Sequence, residues 1–302
     1  MKSKRIGVLM GGLSAEREVS LQTGTTVNAS LQRLGHDTVS IDVDHTLCRQ
    51  LVEQRVDLAF IALHGRYGED GCVQGLLETM GLPYTGSGVL ASALAMDKVL
   101  CKRLFDASGL PTAAWRYPAT AQAVSELGLP VVVKPRGEGS SVGLTVVRDP
   151  AQVEPALDRA GGPRAALAER YIAGREIAVA VLGHDDDARC LGSVEIRAAS
   201  GLYDYEAKYQ RDDTEYLVPA PVPDAVQHRL AELALQVHRI VGCCGATRSD
   251  FIWDGETEPK VLEINTIPGM TSHSLLPKIA ALQSMTYDDL VQAIVNDAGL
   301  RS

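Results

Sequence analysis

The sequence predicts an α/β protein in which the first third is built on a parallel sheet and the remainder is α+β. Three observations carry this. Apolar runs and helical stripes alternate through the first hundred residues. Two strand–turn–strand patterns follow, at 130–147 and 247–265. A long amphipathic helix precedes the second of them.

In chain order, Arg5 to Met10 reads as a buried strand ending in Gly11 and Gly12. The next segment predicts a helix with Val19, Thr23, Val27, Leu31 and Leu34 on one face and Gly35 as its stop. Thr38 to Val43 predicts a second strand. Leu58 to Leu63 is a continuous apolar run, as a parallel sheet buries on both faces. Ligands of such sheets lie beyond the carboxyl ends of the strands, where Gly11-Gly12 and His64-Gly65 stand. Val99 to Ala107 predicts a helix. Pro130 to Lys134 and Leu144 to Val147 predict strands joined by the turn 137–143, and Asp149 to Ala160 a helix. Ala165 to Tyr171, Ile177 to Leu182 and Arg189 to Ile196 predict strands. The polar, tyrosine-rich segment 198–216 predicts a long functional loop. A helix follows with Val226, Leu230, Leu233, Val237, Ile240 and Val241 on one face and Gly242 ending it. Thr247 to Trp253 and Lys260 to Asn265 predict an antiparallel pair around Asp254-Gly255. Two short helices close the chain, the last capped by Thr286 and Asp289.

Composition narrows the function. The 302 residues are 45% hydrophobic and 22% charged, an ordinary globular balance. A net charge of −9 argues against general nucleic-acid or membrane-surface binding. The apolar run Ile6 to Met10 is too short for a signal peptide, and no stretch is long enough to predict a transmembrane helix. The six cysteines have neither zinc-finger nor disulfide-framework spacing, so reduced thiols in a cytoplasmic protein are expected.

The sharpest local signal is Arg248, Asp250, Glu263 and Asn265. Alternation puts Glu263 and Asn265 on one face of their strand, and Arg248 and Asp250 on one face of theirs. If the hairpin is symmetric about the Glu256–Thr257 peptide, Asp250 stands opposite Glu263. Three oxygen donors beside an arginine suit Mg²⁺ that also takes substrate phosphates. Alone, these residues fit an ordinary charged sheet face about as well. The loop that follows, Asn265-Thr-Ile-Pro-Gly-Met-Thr-Ser-His-Ser274, leads into a helix near Leu275 and offers a carboxylate site at Ser274.

A second signal is Lys134-Pro-Arg-Gly-Glu-Gly-Ser-Ser-Val-Gly143. Gly137, Gly139 and Gly143 allow backbone N–H groups close to a phosphate, with Ser140, Ser141 and Lys134 adding donors. It lacks the G-K-[ST] of a Walker loop, and a plain flexible hairpin turn is the alternative.

Together with Gly11-Gly-Leu-Ser-Ala-Glu-Arg-Glu-Val-Ser20, His64-Gly-Arg-Tyr-Gly-Glu-Asp-Gly71, Tyr84-Thr-Gly-Ser-Gly88, Met96-Asp-Lys98 and Tyr203-Asp-Tyr-Glu-Ala-Lys-Tyr209, these segments closely resemble the D-alanine–D-alanine ligases of the ATP-grasp superfamily. The motifs span essentially the full chain. Each is weak alone, but their order and spacing make the set specific. The resemblance implies an N-terminal Rossmann-like domain (1–97) and two halves of an ATP grasp (98–173 and 174–302). It implies that Lys98, Lys134, Glu138, Ser140, Ser141 and Lys208 bind ATP. Glu169, Arg170, Tyr171 and Ile172 would meet the adenine, and Glu176 the ribose. Asp250, Glu263 and Asn265 would hold two Mg²⁺ (or Mn²⁺). Glu16 would bind the first D-alanine's ammonium, with His64 near it. Arg248 and the Gly269 N–H would stabilise the oxyanion, and Ser274, Leu275 and Lys208 would hold the second D-alanine's carboxylate. Tyr209 would close over the site onto Ser140 and Glu16. The resemblance further implies a homodimer, formed through the N-terminal domain.

The expected reaction activates one D-alanine carboxylate as an acyl phosphate, which the second D-alanine's amine attacks. Two rivals remain: a D-alanine–D-lactate or other ATP-grasp ligase, and a ligand-binding scaffold without turnover. The tyrosine at 209 speaks against the ester-forming class, and the intact charged set speaks against the scaffold.

Overall fold

A computed structural model of the chain describes residues 4–198, 213–271 and 273–301. Its first layer is a parallel sheet in the order β2-β1-β3, from β1 (Arg5–Met10), β2 (Asp37–Asp42) and β3 (Leu58–Ile61). Between β1 and β2 runs α1 (Arg17–Arg33). Its buried face is Ser20, Thr23, Gly24, Val27, Ser30 and Leu31, so the expected stripe holds at Thr23, Val27 and Leu31 and fails at its ends, where Val19 is half-buried and Leu34, 37% exposed, only caps the helix. Small residues let the helix settle on the sheet. A Cβ on Gly24 would come within 2.4 Å of the Met10 side chain.

Helices α2 (Leu47–Glu53), α3 (Cys72–Thr79) and α4 (Val89–Met96) were not predicted. Each spans only two turns, too short for a clear period. Helix α5 (Lys98–Ala107) starts at Asp97, whose carboxylate accepts the N–H groups of Val99 and Leu100.

The second sheet is antiparallel, in the order β4-β7-β5-β6: β4 (Trp115–Arg116), β5 (Val131–Pro135), β6 (Thr145–Val147) and β7 (Ala166–Arg170). It is covered by α6 (Ala121–Leu127) and α7 (Val153–Arg159). The helix expected over 149–160 begins instead as a 3₁₀ turn, Pro150–Gln152, which Asp149 and Gln152 cap reciprocally.

The third sheet, β10-β9-β8-β11-β12, is also antiparallel: β8 (Arg175–Leu182), β9 (Arg189–Ala198), β10 (Thr214–Leu217), β11 (Ala246–Trp253) and β12 (Lys260–Asn265). The loop expected at 198–216 is therefore shorter, since Thr214 to Tyr216 pair with Ala198 to Ile196. Helix α8 (Asp224–Val241) packs one face of this sheet with Leu230, Leu233, Ala234, Val237 and Val241. On the other face, α9 (Leu275–Ala280) and α10 (Tyr287–Asn296) join a core that also holds Ile6, Val8, Val27 and Leu31. The last described helix thus fastens the third sheet to the first sheet and α1, reinforced by the Arg33–Asp288 ion pair. Thr286 and Asp289 cap α10 reciprocally, as expected.

Candidate active site

Ends of all three layers converge on one cleft. On one side it is lined by Glu16, His64, Glu69, Ser140, Arg248, Gly269, Ser274 and Leu275. On the other it is lined by Lys134, Glu138, Ser141, Glu176 and Asp250. Lys98 and Glu263 border both halves.

The hairpin β11–β12 behaves as its alternation predicts at the site. Arg248 pairs with Asn265 and Asp250 with Glu263 in register. Nearer the turn the symmetry fails: Phe251 pairs with Val261, so Leu262 forms a β-bulge. The bulge brings Leu262 to the cleft beside Glu263, while Val261 and Ile264 stay in the core. Arg248 donates to both Asp250 oxygens at 2.8 Å, a two-pronged pair on one strand. Ser249 points the other way and is buried, as its place in the alternation requires. Glu263 lies 3.4 Å from the Lys98 ammonium, and the Asn265 side-chain oxygen accepts from the Ile267 N–H at 2.8 Å. Among the described residues no cluster of three His, Cys, Asp or Glu forms an all-protein metal cage. Two carboxylates and an amide oxygen suit Mg²⁺, which keeps waters and takes phosphate oxygens.

The turn 137–143 is held against α5. Lys98 N–H donates to the Arg136 carbonyl, its ammonium donates to the Glu138 carbonyl at 2.8 Å, and Arg136 is ion-paired to Asp97. Ser140 and Ser141 both adopt left-handed backbone, with φ of 50° and 57°. Two successive serines there store strain that tertiary contacts must hold. One such contact is visible: Ser140 Oγ donates to Glu16 Oε1 at 2.5 Å. Gly143 also has positive φ, and a Cβ there would come within 2.8 Å of Pro135.

Glu16 caps α1 by position, and its carboxylate is hemmed in by glycine: a Cβ on Gly65 would sit 2.6 Å from Glu16 Oε2. His64 is buried, its Nε2 3.1 Å from the Thr23 hydroxyl. Burial lowers the His64 pKa, outweighing nearby Glu16, so the imidazole stays neutral near pH 7.

Glu69 was not singled out from the sequence, yet it lines the same half of the cleft and accepts the Gly65 N–H at 2.7 Å. Burial, and then the Glu16 charge, push its carboxyl up to about 8. A raised carboxyl stabilises the fold fully below its unfolded value of about 4.5, and that contribution is lost as pH rises through about 8. Glu69→Gln is therefore expected to raise Tm at pH 8 by several degrees (roughly 2–4 °C per kcal/mol) and to leave it unchanged near pH 4. A thermal-shift series across pH checks this; equal shifts at both ends would refute a retained proton.

Behind the cleft lies a buried ion triple. Glu169 holds Lys102 at 2.6 Å and Lys134 at 2.7 Å. Burial alone would raise the Glu169 carboxyl; the two ammoniums overrule it and hold it at about 2. Of the expected adenine segment, Glu169 to Ile172 does not line the cleft, whereas Glu176 does. The N–H groups of Arg170 and Tyr171 are committed to the carbonyls of Ala114 and Pro130. Ser274 Oγ accepts from the Thr271 N–H at 2.9 Å, and a Cβ on Gly269 would meet it at 2.8 Å. Lys208 and Tyr209 lie outside the described residues.

Residues 108–296 match the family model described as "D-ala D-ala ligase C-terminus", and 46–87 match "D-ala D-ala ligase N-terminus". A D-alanine–D-alanine ligase of Anaeromyxobacter sp. (strain K) is 48% identical over 99% of this chain and 98% of its own length. The chain belongs to the D-alanine–D-alanine ligase family. Another ligase, from Geobacter sulfurreducens, is 48% identical over 100% of this chain and 96% of its own. A crystal structure of the Bacillus anthracis D-alanine–D-alanine ligase superposes with a TM-score of 0.85 at 35% identity, covering 98% of this chain and 97% of the other. The same enzyme complexed with ATP gives 0.83 at 34% identity. Membership agrees with the parallel first sheet and the two antiparallel sheets that flank the cleft.

Proposed function

We infer that this chain is an ATP-dependent ligase that joins two D-alanine molecules to D-alanyl-D-alanine for peptidoglycan precursor synthesis. The single observation that carries the reading is the shared cleft: Lys98 and Glu263 border both the half lined by Lys134 and Glu176 and the half lined by Glu16, Arg248 and Ser274. A phosphoryl group can therefore be passed from one half to the other.

In this reading Lys98, Lys134, Ser140 and Ser141 hold the triphosphate, with the Glu138 carbonyl fixing Lys98. Glu176 meets the ribose, and the adenine would extend past the cleft lining toward the backbone of 169–172. Asp250, Glu263 and Asn265 would hold Mg²⁺ or Mn²⁺, which would neutralise phosphate charge. Glu16 binds the first ammonium. That substrate's carboxylate oxygen attacks the γ-phosphorus, ADP leaves, and an acyl phosphate forms. The second amine, its carboxylate held by Ser274 and the Leu275 N–H, attacks the acyl carbon. Arg248 and the Gly269 N–H stabilise the oxyanion until phosphate departs. Lys208 would bind ATP and the second D-alanine's carboxylate and Tyr209 would close over the site in this scheme; both lie outside the described residues.

We place the activity in the cytoplasm. No helix among the described residues is long and apolar enough to cross a membrane, and the six cysteines are unpaired. A homodimer through the N-terminal domain completes the proposal. The deciding experiment measures ADP and phosphate release with D-alanine, L-alanine and D-alanine plus D-lactate, and identifies the product. D-alanine-dependent release with a dipeptide product is expected. No release from folded protein with Mg²⁺, or a mainly ester product, would overturn the reading.

A further inference from the structure

We propose that Lys102 is a positioning residue for the nucleotide: it sets the place of Lys134 through Glu169 and ties both to the strand that carries Glu263. The inference rests on the reading of Lys134 as a nucleotide-binding group.

Lys102 is fully buried, at 0% exposure, four residues after Lys98 on α5. Burying an ammonium this completely is costly unless it is paired and hydrogen-bonded. Its partners point in two directions. One is Glu169 Oε1 at 2.6 Å, on β7. The others are the Thr112 hydroxyl at 2.5 Å and the Val261 carbonyl at 3.4 Å. Thr112 itself donates to the Val261 carbonyl at 2.7 Å, and the Val261 N–H donates to the Pro111 carbonyl. Val261 lies two positions before Glu263, at the slip in the β11–β12 ladder.

The consequence is electrostatic and geometric. Glu169 divides its two oxygens between two lysines, so Lys134 meets only one of them, at 2.7 Å. The triple carries one net positive charge behind the cleft. Without the Lys102 ammonium, both oxygens turn to Lys134, the net charge falls to zero, and the lysine that lines the cleft is drawn back toward β7. The same loss removes one of the two side-chain donors to the Val261 carbonyl, leaving Thr112 alone to tie down β12 where its ladder is already irregular. Both effects fall on the half of the cleft shared by Lys134, Asp250 and Glu263, and neither touches Glu16 or Ser274.

The test compares Lys102→Met and Thr112→Val with the wild-type protein, measuring KM for ATP, KM for D-alanine, kcat and Tm, with calorimetric titration of Mg-ADP. Lys102→Met is expected to raise KM for ATP by about 10–100-fold, the range typical of losing a group that orients a ligand-binding residue. KM for D-alanine should stay within about threefold. Thr112→Val removes the anchor but keeps all three charges, and should raise KM for ATP by about fivefold, less than the full worth of one hydrogen bond to a charged group because the effect reaches Lys134 only through Glu169. If Lys102→Met does not fold, Thr112→Val decides alone. A lower Tm with unchanged KM for ATP in the folded variants would make Lys102 merely structural and overturn the inference. Lys134→Ala separates this from the functional reading. If wild-type protein binds no Mg-ADP, that reading fails. If it does, and only Lys134→Ala weakens binding, the role of Lys102 alone fails.

Discussion

Replacing Arg248 with alanine is expected to lower kcat by about 10²–10³-fold, the usual loss for one oxyanion-stabilising donor, with KM for ATP changed by less than about threefold. The guanidinium lies between two tasks. It grips both oxygens of Asp250 from two positions away on the same strand. It also borders the half of the cleft that holds Glu16 and Gly269. A charge that develops only while the acyl carbon is tetrahedral stabilises the transition state more than the bound substrates, so its loss appears in kcat. Arg248→Lys should recover little, because a point ammonium cannot grip Asp250 with two prongs and also reach an oxyanion. A second readout follows from burial. Arg248 adds to the lowering of the His64 pKa, so the alanine variant should titrate His64 at higher pH by NMR. If kcat is unchanged and only KM for ATP rises, Arg248 belongs to phosphate binding instead.

What could be read from the sequence follows the reach of each physical signal. The pairing of Asp250 with Glu263 was legible because strand alternation has a fixed period and a hairpin fixes its own register. The bulge at Leu262 was not, because nothing distinguishes a leucine that faces a cleft from one that faces a core. The two ends of the α1 stripe, Val19 and Leu34, were misread for a related reason. Ser20 and Ser30 are buried where the helix crosses the sheet, with hydroxyls satisfied by the Ala62 carbonyl and by Asp288, while an apolar stripe would have sought Leu34. Lys98 was legible only through the Met96-Asp-Lys98 motif and the resemblance it supports, and Lys102 reads from sequence as one more solvated lysine on a helix. Its burial is decided by Glu169 and Thr112, which are distant in sequence. Glu69 likewise sits in a glycine-rich strand-end turn, where parallel sheets place ligands, but its raised carboxyl depends on burial and then on Glu16 across the cleft, neither of which the local sequence shows.

Glu263→Gln should separate metal binding from folding more cleanly than any other single change. The variant is expected to raise the Mg²⁺ concentration for half-maximal activity by at least about 100-fold, since orienting groups around a metal already cost 10–100-fold and a direct ligand costs more. Its stability should hold or rise slightly in the absence of metal. Two carboxylates directly opposite each other on neighbouring strands repel, and amidation of one relieves that repulsion. Against this stands the loss of the 3.4 Å contact with Lys98, a partly exposed pair of modest worth. The alanine-binding half of the cleft should respond little, so KM for D-alanine at saturating Mg²⁺ should stay near the wild-type value. Activity, chelator sensitivity and Tm measured on one preparation check all three. An unchanged Mg²⁺ requirement would show that the cation is held elsewhere. A fall in Tm matching the fall in activity would mean that Glu263 serves the fold through Lys98, because a ligand retained for chemistry leaves the metal-free protein no less stable when it is removed.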